Sequence, residues 1–182
     1  MAADTSFDIP VVLNDYRMYY GTGTDLSMVR ANANVKLPSI ESMTETVKGG
    51  GILGEIEAPV AGHFGSMEAE IGFITLHQDA FSSADFRTMT DLLFMGAQLR
   101  FDSKTGLPKM VGIKVQLRGW VKKMDLGSLE SGTKGDPSAV FEISYIQIVM
   151  DGKEQLLLDK LNHKFSIGGK DMLEDISKFI NA

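Results

Sequence analysis

The chain contains no cysteine, which excludes disulfide staples, thiolate nucleophiles, zinc ribbons and iron–sulfur clusters together. Histidine is nearly as scarce. His63, His77 and His163 are the three copies, none three or four residues from another, so no zinc-ligand spacing is present. No apolar run approaches the roughly 20 residues that a membrane helix needs. The segment from Met1 to Pro10 carries Asp4 and Asp8 and lacks the basic start and apolar stretch of a secretory signal. Synthesis in the cytoplasm without membrane insertion is the expectation.

Basic residues are in deficit as well. Eighteen Lys and Arg stand against 24 Asp and Glu, a formal charge of -6, which disfavours the phosphate grip of nucleic-acid binders. Such an acidic balance is compatible with a channel through which a polyanion slides, because like charges do not stick. Catalytic signatures are missing too. There is no Gly-x-Ser-x-Gly elbow. The Gly21-Thr-Gly-Thr24 run and the triple glycine Gly49, Gly50 and Gly51 match neither a phosphate loop nor a dinucleotide fingerprint. Glu68 and Glu70 point the same way at period two, but nothing nearby desolvates either, so they read as a solvated strand face and not as an acid–base pair. No catalytic residue, metal or cofactor is expected.

What is present suits one folded domain spanning residues 1–182. Hydrophobic residues make up 43% and charged residues 23%, and a chain of this length buries roughly two-thirds of its unfolded surface. Val11 to Leu13 and Tyr16 to Tyr20 flank Asn14-Asp15, the pattern of a hairpin with a turn-forming pair. Leu26 to Leu37, closed by Pro38, and Ile40 to Val47 read as strands. The Gly-rich segment 48–54 then carries Ile52 and Leu53. It is either a slack turn or an arm that orders when its apolar tip docks on a neighbour. Ser66 to Thr75 places Met67, Ala69, Ile71 and Phe73 on one face of a strand. Ser82 or Ser83 can cap a helix in which Phe86, Met89, Thr90 and Leu93 recur at three and four spacing up to Gly96.

The strongest strand signal is Met110 to Leu126, with Val111, Ile113, Val115, Leu117 and Val121 alternating with polar residues. Trp120 shares the face of Lys114, Arg118 and Lys122, where it is either an anchor at a subunit contact or buried under another element. The polar span 127–138 predicts a long mobile hairpin loop. A strand follows from Ala139, with Phe141, Ile143 and Tyr145 in alternation. Asp151-Gly152 signals a two-residue hairpin whose return strand is Lys153 to Phe165. After Gly168-Gly169 a terminal helix from about Asp171 carries Leu173, Ile176 and Ile180 on one stripe. The sum is a mainly β chain: an antiparallel β-barrel or sandwich with a flanking α-helix and a short C-terminal helix.

Arg118-Gly119, Lys123-Met-Asp-Leu-Gly127, the polar loop, and Tyr145-Ile-Gln-Ile-Val-Met-Asp-Gly-Lys-Glu154 together resemble the major tail tube protein family of contractile-tailed phages and related contractile injection systems, R-type bacteriocins included. Asp159 and Asn162 match a recurring pair in that family, and Leu37-Pro38 with the Gly-rich span to Gly54 resembles its N-terminal part. The similarity runs from about Val11 to Ile180. It implies a barrel-like, non-enzymatic subunit that assembles in the host bacterial cytoplasm as stacked six-fold rings forming a hollow conduit. Implied partners are further copies of the chain, sheath, baseplate and tail terminator proteins, and DNA passing the lumen without specific binding. Gly49, Gly50, Gly51, Ile52 and Leu53, then Ser131, Lys134 and Asp136, then Leu173 and Ile176, are the expected subunit contacts. Glu68, Glu70, Lys114 and Gln116 are the lumen-facing candidates. A soluble β-sandwich module binding carbohydrate or peptide through exposed loops has the same strand content and is the alternative.

Overall fold

A computed structural model of the chain describes residues 7–83 and 85–180; the signal-free reading of residues 1–6 lies outside them. Strands dominate because β-branched and aromatic residues alternate with polar ones over most of the sequence. In chain order they are β1 (Asp8–Thr22), β2 (Asp25–Val29), β3 (Asn32–Lys36), β4 (Ser42–Val47), β5 (Ile56–Phe64) and β6 (Glu68–Phe73). After the one-turn helix α1 (Gln78–Ser82) come β7 (Thr90–Asp102), β8 (Pro108–Asp125), β9 (Ser138–Met150), β10 (Lys153–Asp159), β11 (Lys164–Ile167) and β12 (Lys170–Asp171). The helix α2 (Glu174–Ile180) ends the described chain.

The long β8 is the spine. It pairs with β7 from Pro108 to Gly119 and with β9 from Ile113 to Asp125. The main antiparallel path runs β12-β11-β10-β9-β8-β7-β1-β2. It forks at β9, whose far side takes β6 along Ser138–Glu142 and β10 along Tyr145–Met150. A bulge at Ser144 marks the fork, since Arg118 faces Tyr145 while Gly119 faces Ile143. The extra residue reverses the alternation. Ala139, Phe141 and Ile143 are buried before it, Ser144 and Ile146 after it. β6 in turn pairs with β3, and the Asn32 amide of β3 donates to the Tyr16 hydroxyl of β1 at 2.6 Å. The strands β3-β6-β9-β8-β7-β1 therefore curl into a barrel whose β1–β3 seam is bridged by side chains and not by a ladder. Met18, Phe73, Leu92, Leu117, Phe141 and Ile146 fill it.

Several boundaries differ from the sequence expectations. Asn14-Asp15 is no hairpin turn. β1 runs straight through it, absorbing Val11 and Asn14 as bulges against β7. The segment Leu26 to Leu37 breaks at Ala31, which adopts φ +56, so that β2 stays on β1 while β3 crosses to β6. The helix expected from Ser82 or Ser83 to Gly96 is absent. Its one turn of helix, α1, precedes it, and from Thr90 the chain is the central strand β7 with Thr90, Leu92 and Phe94 buried at period two. Two long neighbours with open ladders override a three-and-four spacing that spans under three turns. The return strand Lys153 to Phe165 is likewise two strands, parted by a turn in which His163 has φ +50.

Candidate assembly surface

The Gly-rich segment is the loop of a separate two-stranded sheet, β4–β5, that makes no ladder with the main one. Gly51 and Gly54 adopt φ +88 and +113, and the Ile52 amide donates to the Gly49 carbonyl at 3.2 Å, so the tip is a defined turn. Lys48 and Glu55 pair across its base at 3.3 Å. Gly49, Gly50 and Gly51 are exposed and Leu53 is fully so. In the ladder Val47 faces Ile56 and Glu45 faces Ala58. Alternation thus puts Met43, Val47, Ile56 and Val60 on one side, all exposed. Phe64 at the base of β5 packs against Phe165 at 4.9 Å between ring centres, while the apolar face further out is bare. β5 escaped the sequence reading because its apolar residues are diluted by Pro59, Gly62 and His63.

The loop after β8 is anchored at its base by backbone hydrogen bonds. Phe73 donates to the Pro137 carbonyl at 2.8 Å, Gly135 to Ile74 at 3.2 Å and Ser128 to Gly135 at 2.9 Å. What projects is its tip, with Leu129, Ser131 and Lys134 exposed; Asp136 is exposed at the anchored end with φ +47. Leu173, just before α2, is buried. It lies where a Cβ on Gly62 of β5 would sit 3.0 Å from its Cδ2, so it serves the chain's own packing, while Ile176, Phe179 and Ile180 remain exposed. Between β5, the β10–β11 turn and α2 lies a hollow of about 430 Å³ that also gathers His63, His163 and Asp171. No group of three or more metal-binding side chains converges among the described residues.

The four lumen candidates share the outer, solvent-facing side of the sheet. Lys114, Gln116, Arg118 and Trp120 alternate with the buried Val115 and Leu117 along β8, and Glu68 and Glu70 alternate with Ala69 and Ile71 on β6. Trp120 is 39% exposed, neither swallowed by the core nor free of it. This face is wired by charge. Arg118 forms a bidentate pair with the buried carboxylate of Asp91, 2.6 and 3.2 Å, and lies 5.8 Å from the Tyr145 ring centre. The second Asp91 oxygen also accepts from the Gly23 amide at 2.9 Å, which ties the β1–β2 turn to the wall. Hydrogen bonding to Asp91 pushes the Arg118 guanidinium up from its ordinary pKa, and burial pushes the Tyr145 phenol up.

At the other end Glu68 and Glu142 stand opposite each other across β6 and β9, a like-charge pair that costs stability. Lys122 bridges them, contacting Glu68 closely and Glu142 at 4.0 Å, and its ammonium is held above the ordinary range by the hydrogen bond to Glu68. Asp159 and Asn162, the recurring pair, close the turn after β10. The Asp159 carboxylate accepts from the Leu161 and Asn162 amides at 3.1 and 3.0 Å and from the Asn162 side chain at 2.7 Å.

No curated protein matches the chain. Among solved structures, a chain in "Cryo-EM structure of the anti-feeding prophage (AFP) baseplate, 6-fold symmetrised" is similar at 13% identity and a TM-score of 0.41, covering 79% of this chain and 97% of that one. The model of the family described as phage tail tube protein FII matches residues 13–180, which takes in the barrel, the β4–β5 hairpin, the loop after β8 and α2. The chain belongs to the phage tail tube protein FII family, a family of tail structural proteins.

Proposed function

We propose that the chain is the subunit of the inner tube of a contractile tail, in a phage or a phage-tail-like bacteriocin, and that it assembles as six-fold rings stacked head to tail. The observation that carries this beyond family membership is the β4–β5 hairpin, whose apolar face of Met43, Val47, Ile56 and Val60 is bare in the single chain. Such a patch rimmed by polar residues marks a protein contact. The Ile52–Leu53 tip, the projecting part of the 128–134 loop with Ser131 and Lys134, and the Ile176 side of α2 are the ring-to-ring and ring-to-partner surfaces. Sheath, baseplate and tail terminator proteins are the further partners, met in the host bacterial cytoplasm.

The sheet face bearing Lys114, Gln116, Glu68 and Glu70 supplies the inner wall. Its acids are largely engaged by Arg118, Lys122 and turn amides, which leaves a hydrated wall of mixed charge suited to passage without capture of DNA. Negative-stain electron microscopy with light scattering over a concentration series tests the reading. Hollow rings or uniform tubes are expected. A chain that stays monomeric throughout and fails to extend added baseplate or tube seeds overturns it.

A further inference from the structure

The barrel mouth is unfinished where β1 and β3 diverge. A groove of about 460 Å³ opens there, floored by Phe94, Ile113, Val115 and Ile148 and rimmed by Leu13 and Leu37, both exposed. The sheet does not stop at the groove. Continuing outward on the same face, Ile113 is followed by Val111 and Lys109 on β8, and Gly96 by Gln98 and Arg100 on β7. Arg100 donates from Nε to the side-chain Oε1 of Gln98 at 2.9 Å and has no carboxylate partner among the described residues.

The same chain carries an apolar ridge on the β4–β5 hairpin. From Met43 to Val47 it spans about 13 Å at the rise of a strand. The ridge is apolar except for Glu45, which has no cationic partner among the described residues. A bare ridge with one lone anion, and an apolar groove with one lone cation beyond its outer end past the buried Val111, are complementary in polarity and in charge, and they are unlike surfaces of one chain. Unlike surfaces join copies head to tail.

Resting on the tube reading, we infer that the groove between β1 and β3 is the receptor for the β4–β5 hairpin of a second copy of this chain, with Met43, Val47, Ile56 and Val60 lying over Phe94, Ile113 and Ile148 and with Glu45 meeting Arg100. The occupant completes the barrel core at its mouth. It also hydrates less apolar surface per copy, so assembly stabilises both the hairpin and the seam.

The chain's lack of cysteine makes disulfide trapping clean. The full chain carrying Val47→Cys with Leu37→Cys, or Ile56→Cys with Met150→Cys, is assembled, scored by electron microscopy and oxidised. A ladder of linked multimers is expected on a non-reducing gel from either pair, with at most dimers from the single-cysteine variants. Assembled particles that give no ladder from either pair overturn the hairpin-in-groove contact and leave the tube reading standing. An internally linked monomer as the sole product overturns the second copy as occupant. A wild-type chain that never assembles overturns the tube reading itself.

Charge reversal supplies an independent readout. Arg100→Glu raises the critical concentration for assembly roughly ten-fold and Glu45→Arg in the same chain restores most of it, both at unchanged melting temperature; unchanged assembly in Arg100→Glu overturns the pairing. Leu37→Asp, at an exposed rim position, prevents assembly while leaving the monomer folded, and tubes of wild-type yield from it overturn the groove as the receptor.

Discussion

Gly119 follows Arg118 at the fork of the sheet, and a Cβ there would lie 2.1 Å from the Glu142 carbonyl oxygen. Only glycine lets β8 and β9 pair through the bulge. Gly119→Ala is therefore expected to destabilise the fold toward the upper end of the 1–3 kcal/mol, roughly, that overpacking costs, measured by urea unfolding. Beside it, Arg118→Met leaves the Asp91 carboxylate buried with the Gly23 amide as its remaining described donor. Arg118 is partly solvated, so the loss falls below that of a fully buried pair, about 1–3 kcal/mol. Asp91→Asn with Arg118→Met together should recover part of it. Glu154 gives a pH test. Hydrogen bonds from Gln147 and Ser166 hold its carboxyl below the usual range. Near pH 4 the folded chain therefore binds fewer protons at this site than the unfolded one. This stability is present above the unfolded value of about 4.3 and is lost as pH falls below it and through the lower folded value. Melting curves between about pH 6 and 3 should show a shallower decline for Glu154→Gln than for the wild type.

At the scale of elements, the β4–β5 hairpin shares no ladder with the barrel and is held to it at its base, by Phe64 against Phe165 and by Leu173 against Gly62, so its tip is free to change. Replacing 49–54 by Asn-Gly, a turn suited to a two-residue hairpin, should leave the melting temperature within a few degrees of wild type, roughly, since surface changes shift stability little. The shortened chain should no longer form tubes, and tubes of normal yield would remove the tip from the contact. Elements also show where sequence reading failed. The Asp151-Gly152 turn was legible because its two residues alone determine the required backbone, with φ +51 and +73. The strand β7 was not, because Phe86, Met89, Thr90 and Leu93 satisfy a helical spacing by accident and only the ladders of β1 and β8 decide against it. The exposed tip of Ile52 and Leu53 was legible from apolar residues amid glycines. The apolar face of Met43, Val47, Ile56 and Val60 was not legible, because it exists only once β4 and β5 pair.

For the whole molecule, the proposed tube would bring together copies that each carry a formal charge of -6, through contacts that the hairpin-in-groove proposal makes chiefly apolar. Salt screens the repulsion among copies and leaves apolar contact intact. The critical concentration is therefore expected to fall between about 0.05 and 0.5 M salt, where the Debye length drops from above to below 10 Å, as light scattering would register. A rise over that range would mean that ion pairs dominate the contacts.

Composition and local pattern by themselves determined that this is a cysteine-free, mainly β chain with a long central strand, an Asp-Gly hairpin, a Gly-rich apolar tip and a short terminal helix. Each of these is encoded by residues within a few positions of one another, and the order of the motifs carried the family. The tertiary structure alone decided the fork at Ser144, the seam between β1 and β3, the burial of Leu173 on Gly62, and the common outer face of Glu68, Glu70, Lys114 and Gln116. These depend on register between strands far apart in sequence, and a shift of one residue in any ladder turns every side chain of that strand to the opposite face.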